Sequence, residues 1–311
     1  MTARYMNDVL PTLLGWRREG HAAALATLVF VDGSAPRPRG SQMAIRADGL
    51  AVGNLTGGCA EAAVIDEARA RLAAGTNRLL RYGKGSPYMD IRLPCGSGID
   101  VFFDVTLPLA DLELIVADNA ARQPATLHFD LDQLSARALP GAPQTDATGQ
   151  WSRLCEPVTR ILAAGKGPLV PLIAQLGTAA EFEVVVWSSE PETLAMAQAW
   201  AQEAHALTTP DAFDCGTLDR WTAFLSLFHE HEWEPPILRA ALASHCFYIG
   251  ALGSRRTAEA RRETLTEMGV AASEIARIHG PVGLDLGARS PPEIALAILG
   301  EIVQQRRQPR T

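Results

Sequence analysis

The pattern of apolar positions divides the chain into two halves with different rhythms. In the first half, residues 22–31 (AAALATLVFV) form a continuous apolar run, which predicts a strand buried on both faces. Residues 6–19 before it read as a helix. The stretch 33–40 (GSAPRPRG) places two prolines and two glycines in eight residues and predicts a loop. Residues 41–55 alternate around Asp48-Gly49 and predict a hairpin. A helix is expected from about Cys59 to Ala74, with Val64, Ile65, Ala68 and Leu72 on one face. Glu67 and Arg71 stand at i,i+4 on it, and Gly75 ends it. NRLLRYG (77–83) and IDVFFDV (99–105) predict two more strands, joined by a loop over 84–98.

The second half alternates strand and helix. TRILAAG, FEVVVW, TAFLSLFH and CFYIGAL predict strands, and PLVPLIAQLG and PPILRAALAS predict helices between them. That alternation implies a parallel, doubly wound sheet. Ser290, Pro291 and Glu293 form a capping box that starts a final helix. The fold class expected is therefore α/β. A small mixed α+β domain (1–107) precedes a connecting segment and linker (108–150) and a Rossmann-like domain (151–311).

Composition narrows the function. The net charge is −7, from 28 Lys+Arg against 35 Asp+Glu, which argues against nucleic acid or an anionic membrane as partner. No run of eighteen apolar residues is present, and the first twenty residues carry a proline and charges, so a cytoplasmic protein is expected. The five cysteines are scattered and form no CxxC pair, which suits free thiols better than disulfides or structural zinc.

Two of those cysteines are flanked by glycines. Cys59 follows Gly57-Gly58 at the expected start of a helix, where unpaired N–H groups and the helix dipole favour a thiolate. The two glycines allow close approach of a ligand, with N–H groups available to an oxyanion. Glu61 can accept a proton or hydrogen-bond a heterocycle. The competing reading makes Cys59 a small buried hydrophobe on a tight turn. Cys95, before Gly96, repeats the theme. Ser34, Arg37 and Arg39 lie on a proline-stiffened loop, and arginine suits phosphate or a planar heterocycle.

In the second half, Gly165 and Gly167 supply two positions of a dinucleotide fingerprint, but Val170 stands at the third. The second strand ends in Trp187-Ser188-Ser189, with no acid before Glu190. Gly253, Ser254, Arg255 and Arg256 sit where a helix N-terminus near Thr257 can meet a phosphate. His229 and His231 form an HxH pair beyond a strand end, read as a polar rim more readily than as a metal site, and His279 and Asp285 lie in a glycine-punctuated loop.

These stretches together resemble a known family. GSAPRPRGSQM, GNLTGGCAEAAVIDEA, LPCGSGIDVF, YIGALGSRRT and HGPVGLDLGARSPPEIALAILGEIV are similar, in order, to the XdhC/CoxF-type molybdoenzyme maturation factors. GSPYMDIRLPCGSGID and SLFHEHEWEP resemble most the PaoD-like branch that serves aldehyde oxidoreductases. The resemblance implies a chaperone rather than an enzyme. It would bind molybdenum cofactor (molybdopterin or its cytosine dinucleotide form) as cargo, assist its sulfuration, and insert it into a xanthine dehydrogenase- or aldehyde oxidoreductase-type apoprotein. It also implies a homodimer, with a cysteine desulfurase and a cofactor nucleotidyltransferase as further partners. Carried over to this chain, the cofactor-binding set is Arg37, Gly57, Gly58, Cys59, Glu61, Cys95, Gly96, Gly165, Gly167, Gly253, Ser254, Arg255 and Arg256, with Cys59 and Cys95 nearest the metal. The chain departs from the family pattern at AAGKGPLV, where a regular glycine fingerprint is replaced. The alternative is an NAD(P)-dependent oxidoreductase built on the second domain.

Overall fold

The computed structural model describes residues 7–34, 37–86, 96–143, 146–213, 216, 218–228 and 232–307. The chain forms two compact units, Met1–Pro157 and Val158–Thr311.

The first unit runs α1 (Leu10–Arg18), β1 (Ala23–Asp32), β2 (Gln42–Arg46), β3 (Ala51–Gly53), α2 (Glu61–Ala74), β4 (Arg78–Gly83), β5 (Gly98–Asp104), α3 (Leu109–Ala120), β6 (Ala125–Asp130), β7 (Ser135–Pro140) and β8 (Gln150–Cys155). An antiparallel sheet of order β3-β2-β1-β5-β4 is its centre. The unbroken apolar run of β1 follows from that position. Ala23, Leu25 and Val29 face one core with α1 and α3, while Ala24, Ala26 and Leu28 face a second core with Val64 and Ala68 of α2. The expected Asp48-Gly49 hairpin is present, with Ile45 opposite Ala51. The expected Glu67–Arg71 pair closes at 2.9 Å, and Gly75 caps α2 in the left-handed conformation.

Residues 108–150 differ from a connecting segment with a linker over 138–150, where the Gly, Pro, Ala and Thr content suggests one. They contain α3, β6 and β7, and they lead into β8 to complete an antiparallel sheet of order β7-β6-β8. Leu127 and Phe129 of β6 are buried in the core shared with α1 and β1. The first unit therefore ends at Pro157, not near residue 107. Apolar burial, which composition does not report, ties this segment to the first unit.

The second unit runs β9 (Arg160–Gly165), α4 (Leu169–Ala179), β10 (Glu183–Ser188), α5 (Pro191–Ala197), β11 (Glu203–Ala206), β12 (Thr222–Leu227), α6 (Glu234–Leu242), β13 (Tyr248–Ala251), α7 (Arg255–Glu267), α8 (Ala272–Ile275), β14 (Ile278–His279) and α9 (Pro291–Arg306). Its sheet is parallel throughout, of order β11-β10-β9-β12-β13-β14. Counted within this unit, that is the 3-2-1-4-5-6 order of a doubly wound dinucleotide-type fold. Ile161 and Ala163 of β9 pack toward α4 and α9, while Leu162 and Ala164 pack toward α6. The order reverses between β9 and β12, so the carboxyl ends of these strands form the edge where such folds take ligands.

That edge is braced by a buried ion pair. Glu234, at the start of α6, accepts from Arg261 Nε at 2.9 Å and Nη2 at 3.0 Å, and from Ser226 Oγ at 2.8 Å. Arg261 Nη2 also donates to Leu252 O at 2.6 Å. Both side chains are under a tenth exposed. Arg261→Ala leaves the Glu234 carboxylate buried and unpaired, and should cost about 3–5 kcal/mol. Urea denaturation checks this. The double variant Glu234→Met/Arg261→Met should lose less than the single one, because no charge is stranded.

Candidate functional site

The loop between β3 and α2 is built around Glu61. Its Oε1 accepts from Leu55 N at 3.2 Å and Thr56 N at 2.7 Å. Its Oε2 accepts from Thr56 Oγ1 at 2.5 Å, Gly58 N at 2.8 Å and Ala60 N at 3.2 Å. Asn54 Oδ1 takes the remaining glycine amide, Gly57 N, at 2.8 Å. Leu55 is fully buried, and Asn54 and Thr56 nearly so, which anchors the loop in the core. Gly57 and Gly58 have φ of 76° and 110°, a turn that brings these amides round onto one carboxylate.

This corrects three expectations. Amides at Gly57 and Gly58 are not open to a ligand oxyanion, because side chains of the loop itself hold them. Glu61 is the anion of the turn rather than a free base. Half-burial pushes its pKa up, but the hydrogen bonds from Thr56 and its neighbours outweigh this, and the net shift is downward. The helix begins at Glu61 with Ala60 as its cap, so Cys59 lies just ahead of it. Cys59 is exposed, not packed. Asn54 and Thr56 were not singled out from the sequence, although an Asn and a Thr just before Gly-Gly are the signal of a side-chain-closed turn.

The other thiols divide clearly. Cys155 and Cys246 are buried, and burial pushes Cys246 up to about 11. Cys95 and Cys215 lie outside the described residues, as do His229 and His231. Gly96 is exposed with φ of 69°. No group of three His, Cys, Asp or Glu side chains with metal-binding placement occurs among the described residues.

At the carboxyl edge of the parallel sheet, Gly165, Gly167, Gly253 and Ser254 have structural uses. A Cβ on Gly165 would lie 2.6 Å from Leu227 Cβ, so this glycine permits close approach of β9 and β12. Gly167 N donates to Glu190 Oε2 at 3.1 Å and to Thr193 Oγ1 at 3.0 Å. Thr193 also hydrogen-bonds Glu190, whose pKa is lowered by that bond and by the Gly167 amide. The acid missing from the end of β10 is thus present two residues on, turned back onto the first βα turn.

Ser254 caps α7 by accepting from Thr257 N at 3.2 Å, so this helix starts at Arg255, two residues earlier than expected. A Cβ on Gly253 would lie 2.8 Å from Thr257 Cγ2. Arg255 and Arg256 are exposed at its first turn. His279 Nδ1 meets Glu301 Oε1 at 2.8 Å, and Tyr248 donates to Glu301 Oε2 at 2.6 Å. Asp285 is exposed and outside this cluster. In the first unit, Ser34 is exposed. Arg37 and Arg39 instead line a concavity with Trp151 and Arg153 of β8.

Glu61→Gln places an amide NH2 group where donors converge, and should destabilise the first unit by about 1–3 kcal/mol. The pH dependence follows from the sign of the shift. A carboxylate whose folded pKa is depressed contributes stability above the ordinary glutamate value, and loses it as pH falls through the lowered folded value. Denaturation midpoints from neutral pH down through the carboxylate range should therefore fall less steeply in Glu61→Gln than in the parent.

Comparison with known proteins agrees with this architecture. Residues 16–83 match the XdhC and CoxI family, and residues 161–302 match the XdhC Rossmann domain. The molybdenum cofactor insertion chaperone PaoD of Escherichia coli (strain K12) is 34% identical over 92% of this chain and 84% of its own. A Bacillus subtilis (strain 168) protein described as a probable xanthine dehydrogenase subunit is 26% identical over 92% of this chain and 94% of its own. A Bacillus halodurans crystal structure described as a xanthine dehydrogenase shares the fold, with a TM-score of 0.80 at 21% identity, covering 97% of this chain and 96% of that one. With matches in both compact units and a relative above 30% identity along nearly its whole length, the chain belongs to the XdhC family.

Proposed function

We propose that this chain is a molybdenum cofactor insertion chaperone: it holds the cofactor as cargo, shields it, assists exchange of a molybdenum oxygen for sulfur, and hands it to a xanthine dehydrogenase- or aldehyde oxidoreductase-type apoprotein. The observation that carries this reading is the exposed Cys59 thiol on a loop braced by Glu61. It stands in a chain that matches a named insertion chaperone over nine-tenths of its length. A thiol is a suitable neighbour for a metal–dithiolene centre, because soft sulfur ligands suit such metals. The brace fixes the backbone before any ligand arrives, which lowers the ordering cost of binding. Cys95 is the second thiol of this proposal, and Arg255 and Arg256 are further contacts for the cargo's charged end. A dimer, a cysteine desulfurase and a cofactor nucleotidyltransferase complete the proposed setting, and the cytoplasm is its expected compartment. No helix among the described residues is long and apolar enough to cross a membrane.

The test is anaerobic purification after co-expression with cofactor synthesis, followed by molybdenum and pterin analysis. Cys59→Ala changes an exposed side chain, so its stability should stay within about 0.5 kcal/mol of the parent. Its bound molybdenum and its activation of a target apoenzyme should both fall severalfold or more. Full loading and activation in this variant would return Cys59 to a surface residue.

The strand order of the second unit favours a second reading, an NAD(P)-dependent oxidoreductase. Against it, the Gly167 amide is held by Glu190, and that same carboxylate is bonded to Thr193 rather than available to a ribose. Calorimetry with NAD(H) should show no saturable binding in the micromolar range. Saturable binding there would favour the oxidoreductase.

A further inference from the structure

We propose that the concavity between the β1–β2 connection and β8 is a phosphate site, in which Arg37, Arg39 and Arg153 take the dianionic phosphate or diphosphate group of a small ligand. It measures about 390 Å³ and lies within the first unit. Two of the other loops from which the sequence suggests anion binding through backbone amides carry their own carboxylates, Glu61 at Gly58 and Glu190 at Gly167. Here the arrangement is reversed. Three guanidinium groups converge, and among the described residues none of them has a carboxylate within ion-pair distance.

Each arginine is held by something other than an acid. The Arg39 guanidinium carbon lies 4.3 Å from the Trp151 ring centroid. Trp151 stacks in turn on Phe129 at 5.1 Å and 18°, and Phe129 meets Phe102 edge-on at 5.8 Å. Trp151 thus carries the Arg39 guanidinium over its ring and has Phe129 stacked against it. It serves as a backing plate that fixes the Arg39 plane and leaves its N–H groups for a ligand, rather than as a platform for a base. Arg153 donates to Gly40 O at 2.9 Å and to Cys155 Sγ at 3.0 Å, which ties β8 to the opposite loop. Arg37 donates to Asn7 Oδ1 at 2.7 Å, while its Nε is buried without a hydrogen-bond partner.

The charge balance names the ligand class. Asp146 is the acid whose field reaches Arg39, and its carboxylate is engaged by Ser152 N at 3.0 Å and Ser152 Oγ at 2.6 Å. Three cations face Asp146 and Asp8, whose field reaches Cys155 beside Arg153, which leaves a local positive excess in a chain of net charge −7. A phosphate monoester carries roughly −1.5 to −2 at neutral pH and presents three acceptor oxygens, matching both the excess and the fork geometry of guanidinium. The site stands independently of the cargo reading. If both hold, this is where the phosphate end of the cargo binds.

Inorganic pyrophosphate titrated into the full chain at low ionic strength tests the site without any cofactor, by calorimetry and tryptophan emission. The parent should bind saturably with a change in emission. Arg39→Ala, an exposed position whose fold circular dichroism checks, should bind at least tenfold more weakly, with Arg39→Lys in between. Trp151→Phe should keep binding within a few fold while losing the emission change. Three results would each overturn the proposal: no saturable binding by the parent, unchanged affinity in Arg39→Ala, or an emission change that survives Trp151→Phe.

Discussion

One carboxylate shapes the glycine-rich loop. Leu55 N, Thr56 N, Thr56 Oγ1, Gly58 N and Ala60 N all donate to Glu61, and the backbone path that exposes Cys59 is the path that lets them do so. Buried amides need partners, and here the first residue of the following helix provides them. The thiol is therefore presented by a loop whose Leu55, Thr56, Gly57, Gly58 and Ala60 amides are already used.

The same device recurs in the second unit. Glu190 closes the first βα turn, Glu234 joins α6 to α7 through Arg261, and Glu301 collects Tyr248, His279 and Gly283 N. Each carboxylate stitches a loop to a neighbouring element. The fold has the strand order of a dinucleotide-binding protein, yet the amide at its Gly167 turn already serves the protein itself. A shared strand order does not by itself assign a shared ligand, as fold and function are separable.

The sequence makes much of this fold legible, for identifiable reasons. Continuous apolar runs mark β1, β9, β10 and β12 because each is buried on both faces. Gly75 and Ser290 mark helix ends because few residue types fit those positions. Short strands such as β11 and β14 leave too little pattern to read. The sheet made by β6, β7 and β8 hides in a stretch whose turn-rich composition resembles a linker. In the site, Cys59 and the glycines are legible as a local motif. The internal use of their amides is not, because it depends on where the Glu61 carboxylate turns. Arg37 and Arg39 can be read from a proline-stiffened loop, but Trp151 and Arg153 are more than a hundred residues away and are brought in only by sheet packing.

The absorption of residues 108–157 into the first unit bears on how this chain can be divided. A cut near residue 107 would strip β6 from Phe102 and leave the apolar face it covers to water, inviting aggregation rather than an autonomous half. A cut near residue 150 would remove β8 from the edge of β6 and leave an unpaired strand edge open to another chain. The seam that leaves both sheets intact is at Pro157–Val158, where gene fusion, fission or limited proteolysis could separate the halves without opening a core.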